Sequence, residues 1–148
     1  MTGSILSGNP EKAGEILNGF LPSTISIRDT MGMQDSKESF YHGVILGMLS
    51  NENQSGYSVL SNREAGNGYL DIYLFSENDK IGAILEIKLA QNDNDYENAC
   101  DKALKQIEEK DYTSIFRPIV TKTVYKYGIG CRLKYCQIKQ GETEIRVY

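Results

Sequence analysis

Residues 68–89 read GYLDIYLFSENDKIGAILEIKL, and this stretch decides the fold class. Tyr69, Asp71, Tyr73 and Phe75 alternate with Leu70, Ile72 and Leu74, the period of two that a strand requires. Ile81, Ala83, Leu85, Ile87 and Leu89 alternate in the same way with Ile84, Glu86 and Lys88. Ser76-Glu77-Asn78-Asp79 between the two runs is turn chemistry, so they form a hairpin. With the turn centred between Asn78 and Asp79, Asp71 lies across from Glu86 and Tyr69 across from Lys88, all four on one face. Directly opposed side chains stand with Cβ atoms ~5 Å apart, and like charges there destabilise a sheet. Two readings accommodate the pair. Either a divalent cation is shared by the carboxylates, since hard oxygen ligands suit Mg²⁺ or Mn²⁺, or the face is solvated and the acids join Lys88 in a surface ion network.

Outward from the hairpin, Tyr57–Ser61 reads as an earlier strand, and Asn62–Gly68 as a loop in which Gly66-Asn67-Gly68 can adopt left-handed backbone angles. Upstream, Asn9 caps a helix with Pro10 at its first position and Pro22 at its stop. Thr24–Ile27 is β-favouring. A second helix from about Asp35 or Ser36 buries Phe40, Tyr41, Val44, Ile45, Met48 and Leu49 and ends at Asn51–Gly56. Downstream, a helix over Asp95–Lys110 carries an Asn94/Glu97 capping box and a buried stripe of Tyr96, Ala99, Cys100, Ala103, Leu104 and Ile107. Val124–Arg132 and Tyr135–Ile138 then read as strands, with Ile145–Tyr148 as an edge. The order predicts an α/β (α+β) domain with a mixed central β-sheet flanked by helices. The 148 residues form a single domain: 1–35 a supporting helix and loop, 36–148 the core.

Net charge is −4, yet it is unevenly spread. Residues 1–112 hold 18 acids and 9 bases, whereas 113–140 hold Arg117, Lys122, Lys126, Arg132, Lys134 and Lys139 and no acid. Such a segment either meets phosphates, with Lys122, Lys126, Arg132 and Lys134 as nucleic-acid contacts, or supplies the solvent face of strands. Cys100, Cys131 and Cys136 make an odd count without a CxxC pair, which predicts free thiols in a reducing compartment rather than a disulfide or zinc site. No apolar run of ~20 residues crosses a membrane, and Met1–Pro10 has neither the basic start nor the apolar middle of a signal peptide. A cytoplasmic location is expected.

Asp71, then Glu86-Ile87-Lys88 on the next strand, then a helix, resembles the PD-(D/E)XK nuclease superfamily. Phe40-Tyr41-His42-Gly43, Ser61-Asn62-Arg63-Glu64, Leu70-Asp71, Glu86-Ile87-Lys88, and Ala103-Leu104 with Gln106-Ile107 and Tyr112 follow one another as in one group of it. In that group such a domain commonly follows an AAA-type ATPase-like domain. The resemblance implies a restriction-endonuclease-like core and metal-dependent cleavage of phosphodiester bonds, with DNA as the expected substrate and Mg²⁺ or Mn²⁺ as cofactor. Carried over residue by residue, it makes Asp71, Glu86 and the Ile87 carbonyl metal ligands and Lys88 a catalytic residue, with Gln106 as a companion on the following helix. Glu38 stands where many members place a further metal-site acid, although Asp35 and Glu38 are also spaced as a capping box. Tyr69, Tyr73 and Tyr112 are candidates to line the site, and Arg63-Glu64 either belongs to the family pattern or braces a loop. His42, the single histidine, is expected to pack its helix. Leu70 replaces the proline of the superfamily motif. No G-x-x-x-x-G-K-[ST] phosphate loop occurs, so the ATPase-like domain is expected to be absent here, the chain being either a stand-alone relative or an excised domain, with any ATPase-like partner separate. A homodimer would suit double-strand cutting. The competing function is a catalytically silent module of the same fold that binds nucleic acid or a protein.

Overall fold

The structure, a computed structural model, describes residues 1–24, 34–50 and 56–147. Within them the chain runs α1 (Thr2–Leu6), α2 (Pro10–Thr24), α3 (Gln34–Ser50), β1 (Tyr57–Ala65), β2 (Gly68–Ser76), β3 (Ile81–Leu89), α4 (Tyr96–Glu109), a 3-10 turn (Tyr112–Phe116), β4 (Thr123–Arg132), β5 (Tyr135–Gln140) and β6 (Glu144–Ile145). The strands form one mixed sheet in the order β1-β2-β3-β4-β5, with β6 pairing beside β4. All neighbours are antiparallel except β3 and β4, which run parallel and are joined through α4. This is the expected mixed sheet flanked by helices, a restriction-endonuclease-like arrangement. Among the described residues no helix is long and apolar enough to cross a membrane.

Helices cover both faces, which is why β3 is buried almost throughout. On one face Ile5, Ala13, Leu17, Leu21, Tyr41, Ile45 and Leu49 of α1–α3 pack on Ile72, Leu74, Ala83, Leu85, Ile87, Tyr127 and Ile129. On the other, Ile107 of α4 with Tyr112 and Phe116 covers Leu70, Ile84 and Val124. Glycines set how closely α4 approaches. A Cβ on Gly128 would lie 2.2 Å from the Cys100 carbonyl oxygen, and one on Gly130 would lie 2.6 Å from that of Tyr96.

Several local expectations are corrected. Pro22 does not stop α2, which continues to Thr24. Asn9 does cap it, with its Oδ1 accepting from the Lys12 N–H at 3.1 Å. The rest of the β-favouring stretch, residues 25–27, lies outside the described residues, as do 51–55 and Tyr148. Helix α3 starts at Gln34, which puts Asp35 inside the first turn instead of at the cap. The capping box of α4 is not formed: Asp95 makes no cap bond and accepts instead from the Gln91 N–H and the Asn98 side chain, both at 2.8 Å. Cys131 and Cys136 are bonded to each other, not free, because β4 and β5 pair them directly with Cα atoms 4.2 Å apart. Cys100 is a buried thiol. The short α1 and the 3-10 turn were not anticipated; each is only five residues long, too short for a periodic signal.

The expected loop at Asn62 is instead strand, since β1 continues to Ala65 and turns only at Gly66-Asn67. Gly66 has φ +55°, and a Cβ there would fall 2.1 Å from the Lys110 carbonyl oxygen, which also accepts from the Asn67 N–H at 2.9 Å. The hairpin tip is thus seated on the end of α4. Gly66→Ala combines left-handed strain with a backbone clash and is expected to destabilise the protein by about 2–3 kcal/mol. A denaturant midpoint unchanged from wild type would contradict this seating.

Candidate active site

The β2–β3 ladder has the register expected from the turn: Ser76 pairs Ile81, Tyr73 pairs Ile84, and Ile72 pairs Leu85. It ends there. One step further, where Asp71 and Glu86 would face each other, side chains replace the ladder bonds. The Asp71 N–H donates to Glu86 Oε1 at 2.7 Å, and the Ile87 N–H donates to Asp71 Oδ2 at 2.9 Å. Each acid therefore caps the other strand where the pair separates.

The separation also reverses the alternation of β2. Leu70 packs with Tyr112 and Phe116, yet Ile72 and Leu74 belong to the opposite core. The shared face drawn from strict alternation is corrected accordingly. Asp71 opens towards α3, in a cleft of about 480 Å³ with Glu38, Ser39, His42, Gly43, Leu46, Ser61 and Asn62. Tyr73, two residues on, stacks edge-on against Phe116 at 5.7 Å and is a packing residue.

Glu86 points under α4 and is 1 % exposed. Gln106 Nε2 reaches it, donating to Oε2 at 3.2 Å and to the Tyr112 hydroxyl at 2.9 Å. The tight fit of α4 over Gly128, the β4 partner of Glu86, makes that reach possible. Burial, and next the charge of Asp71, push the Glu86 carboxyl far above its ordinary range, to about 9. Lys88 pulls the other way, but more weakly. It is half-buried and makes no ion pair with a described residue.

A carboxyl pushed up by burial and, after that, by a neighbouring carboxylate marks a site short of positive charge, and two carboxylates are donors that suit a hard divalent cation. Among the described residues no group of three or more His, Cys, Asp and Glu comes together. A set of two acids plus neutral oxygens matches Mg²⁺, which keeps several waters and takes only one or two carboxylates. Glu38 lines the same cleft as Asp71.

Of the remaining candidates, Tyr69 is 67 % exposed and Tyr112 is buried in contact with Gln106. Arg63 and Glu64 are successive exposed residues of β1 and form no ion pair with each other. The basic segment is mostly neutralised. Arg117 pairs with Asp111, Lys126 with Glu108, Arg132 with Asp93, and Lys139 with Glu97 and Asp101. Lys126 is 8 % exposed. Of the residues expected to contact phosphates, Lys126 and Arg132 meet acids on and before α4, whereas Lys122 and Lys134 form no such pair among the described residues. Ser39, His42, Ser61 and Asn62 were not assigned to the site from sequence. His42 holds Nδ1 4.0 Å from Asp71 Oδ1; the available signals were its being the single histidine and the place of His42 and Ser61-Asn62 in stretches that resemble the family.

No curated protein matches this chain. The family model of the PD-(D/E)XK nuclease superfamily matches residues 36–141, from α3 through β5 and including every element of the acid pair and its surroundings. The chain belongs to the PD-(D/E)XK nuclease superfamily.

Proposed function

We propose that this protein hydrolyses phosphodiester bonds of nucleic acid, with DNA as the favoured substrate and Mg²⁺ or Mn²⁺ as cofactor. The observation that carries this reading is the pairing of buried Glu86 with half-buried Asp71, bound crosswise at the parting of two strands. Asp71, Glu86 and the Ile87 carbonyl would hold the metal, with Glu38 joining from the cleft wall. A cation held there would supply polarisation of a phosphate oxygen and easier deprotonation of the attacking water. Gln106 fixes the rotamer of Glu86 and is itself held by Tyr112. Lys88, two residues beyond Glu86 and unpaired among described residues, meets charge as it develops on the phosphate. Tyr69, two residues before Asp71 on β2, offers an exposed ring for a base or sugar. A separate ATPase-like partner and a homodimer belong to the same proposal.

Incubation of purified protein with plasmid, single-stranded DNA and RNA in Mg²⁺ or Mn²⁺ tests it. Wild type is expected to cleave, and Lys88→Ala to lose at least about a hundredfold in rate. Equal activity in both would count decisively against catalysis.

One observation favours a second reading, a catalytically silent module: four of the six bases in 113–140 already have acid partners, so little basic surface is left to grip a polyanion. Calorimetric titration with Mn²⁺ separates the two. The nuclease takes up metal and Asp71→Ala does not, whereas a silent module has no such requirement.

A further inference from the structure

The cleft beside Asp71 has two unlike walls. Acids mark one side, Glu38 and Asp71, while Ser39, His42, Ser61 and Asn62 bring hydrogen-bonding groups to the rest. Among the described residues no lysine or arginine lines it. Asn62 has φ +51° in the middle of β1. The β1–β2 ladder keeps one register on both sides of it, with Ser61 pairing Ile72 and Arg63 pairing Leu70, but lacks the pair at Asn62 and Asp71. A left-handed residue inside a strand costs about 1 kcal/mol or more, and Asn is among the few side chains that tolerate it. The interruption falls opposite the acid that opens onto the cleft, so the sheet is unzipped on both sides of Asp71, from β3 by the crossed acid bonds and from β1 by Asn62.

We propose that Ser39, His42 and Asn62 form a second contact for the substrate strand, hydrogen-bonding a phosphate next to the one being cleaved. This rests on the nuclease reading above and assigns its flanking subsite. A serine hydroxyl, a carboxamide and an imidazole can each donate to a phosphate oxygen while uncharged. Neutral donors suit this position because cations beside Asp71 and Glu38 would compete with the metal for the same carboxylates. His42 Nδ1 is 4.0 Å from Asp71 Oδ1, beyond hydrogen-bond length, so the ring is not committed to bracing the acid. The consequence is a nuclease that grips its substrate by hydrogen bonds more than by counterion release.

The test measures binding of a short labelled single-stranded oligonucleotide by fluorescence anisotropy, with Ca²⁺ in place of Mg²⁺, over a series of monovalent salt concentrations. The variants are His42→Ala, His42→Gln and Asn62→Gly, the last removing the carboxamide while keeping a residue at ease with positive φ. His42→Ala and Asn62→Gly are each expected to weaken binding about tenfold, and His42→Gln to recover part of the loss. Mn²⁺ affinity by calorimetry should stay at the wild-type level in all three. For single strands each phosphate neutralised contributes roughly −0.7 to the slope of log K against log salt. With Lys88 the main cation at the site, the slope should be about −1 and the same in every variant. Unchanged binding in His42→Ala and Asn62→Gly overturns the proposal, as does a slope of about −3 or steeper or an absence of binding by wild type. A fall in Mn²⁺ affinity that accounts for the loss in His42→Ala would make His42 a brace for Asp71 and also overturn it. Wild type that binds with this dependence but fails to cleave in Mg²⁺ sinks the hydrolytic reading and leaves the subsite standing.

Discussion

Glu86→Gln is expected to make the metal-free protein more stable while abolishing metal uptake and cleavage. Glu86 is buried beside Asp71, and the fold raises its carboxyl from the ordinary 4.5 to about 9. The folded protein thus binds this proton more tightly than the unfolded chain does. For a group raised on folding, stability is greatest below the unfolded value and declines as pH climbs through the interval up to the folded one. At about 1.4 kcal/mol per pKa unit, keeping the proton at pH 7 costs the metal-free fold on the order of 3 kcal/mol. Glutamine removes that cost. Its carbonyl can still accept from the Asp71 N–H, and Gln106 can turn its carboxamide to accept from the new amide. Thermal unfolding in chelator at pH 7 should show a gain of about 5–10 °C, shrinking as pH falls towards 4.5. A midpoint below that of wild type would sink the argument. With the carboxylate gone, cleavage should fall at least about a thousandfold. In wild type, metal uptake must release the Glu86 proton, so affinity should rise with pH between about 5 and 9, and the calorimetric heat should vary with the ionisation enthalpy of the buffer.

The second large effect is expected at Gly128, the β4 partner of Glu86. Alanine there would put a Cβ 2.2 Å from the Cys100 carbonyl oxygen and 3.0 Å from Leu104 Cγ. The first is backbone and cannot swing aside, so α4 must lift from the sheet. Gly128→Ala should cost about 3 kcal/mol and lower the melting temperature by about 6–12 °C. It should also reduce cleavage, because Gln106 loses its 3.2 Å bond to Glu86. A melting temperature within about 2 °C of wild type would show that α4 does not rest on this glycine.

How much of this was legible in the sequence depends on the range of the information. The hairpin was readable to its register because period-two patterning and turn residues are local, and they pointed to Asp71 and Glu86 together. The parting of the strands beyond Ile72–Leu85 was not, because it depends on the carboxylates bonding across to the opposite backbone, which no pattern records. The basic run in 113–140 looked unopposed for a similar reason. Its acid partners Asp93, Glu97, Asp101 and Glu108 lie 18 to 42 residues from the bases they pair with and meet them only when the β3-α4-β4 crossover closes. Cys131 and Cys136 became a bonded pair once β4 and β5 were in register. Asn62 carried no warning, since its left-handed angle in a strand is dictated by the opening at Asp71.

The crossed bonds between Asp71 and Glu86 also bear on the order in which the site is assembled. Both acids come from one hairpin, an element of low contact order that closes on a scale of about 1–10 μs. Gln106 and the covering that buries Glu86 wait for the parallel pairing of β3 with β4, which must first close a loop through the whole of α4. The carboxylates can therefore meet while still wet and fully ionised, when a divalent cation would find them at little desolvation cost. On the proposed metal-dependent function, dissolved Mg²⁺ would then act on the folding chain as well as on the folded protein, by drawing the hairpin ends together before the core seals over them.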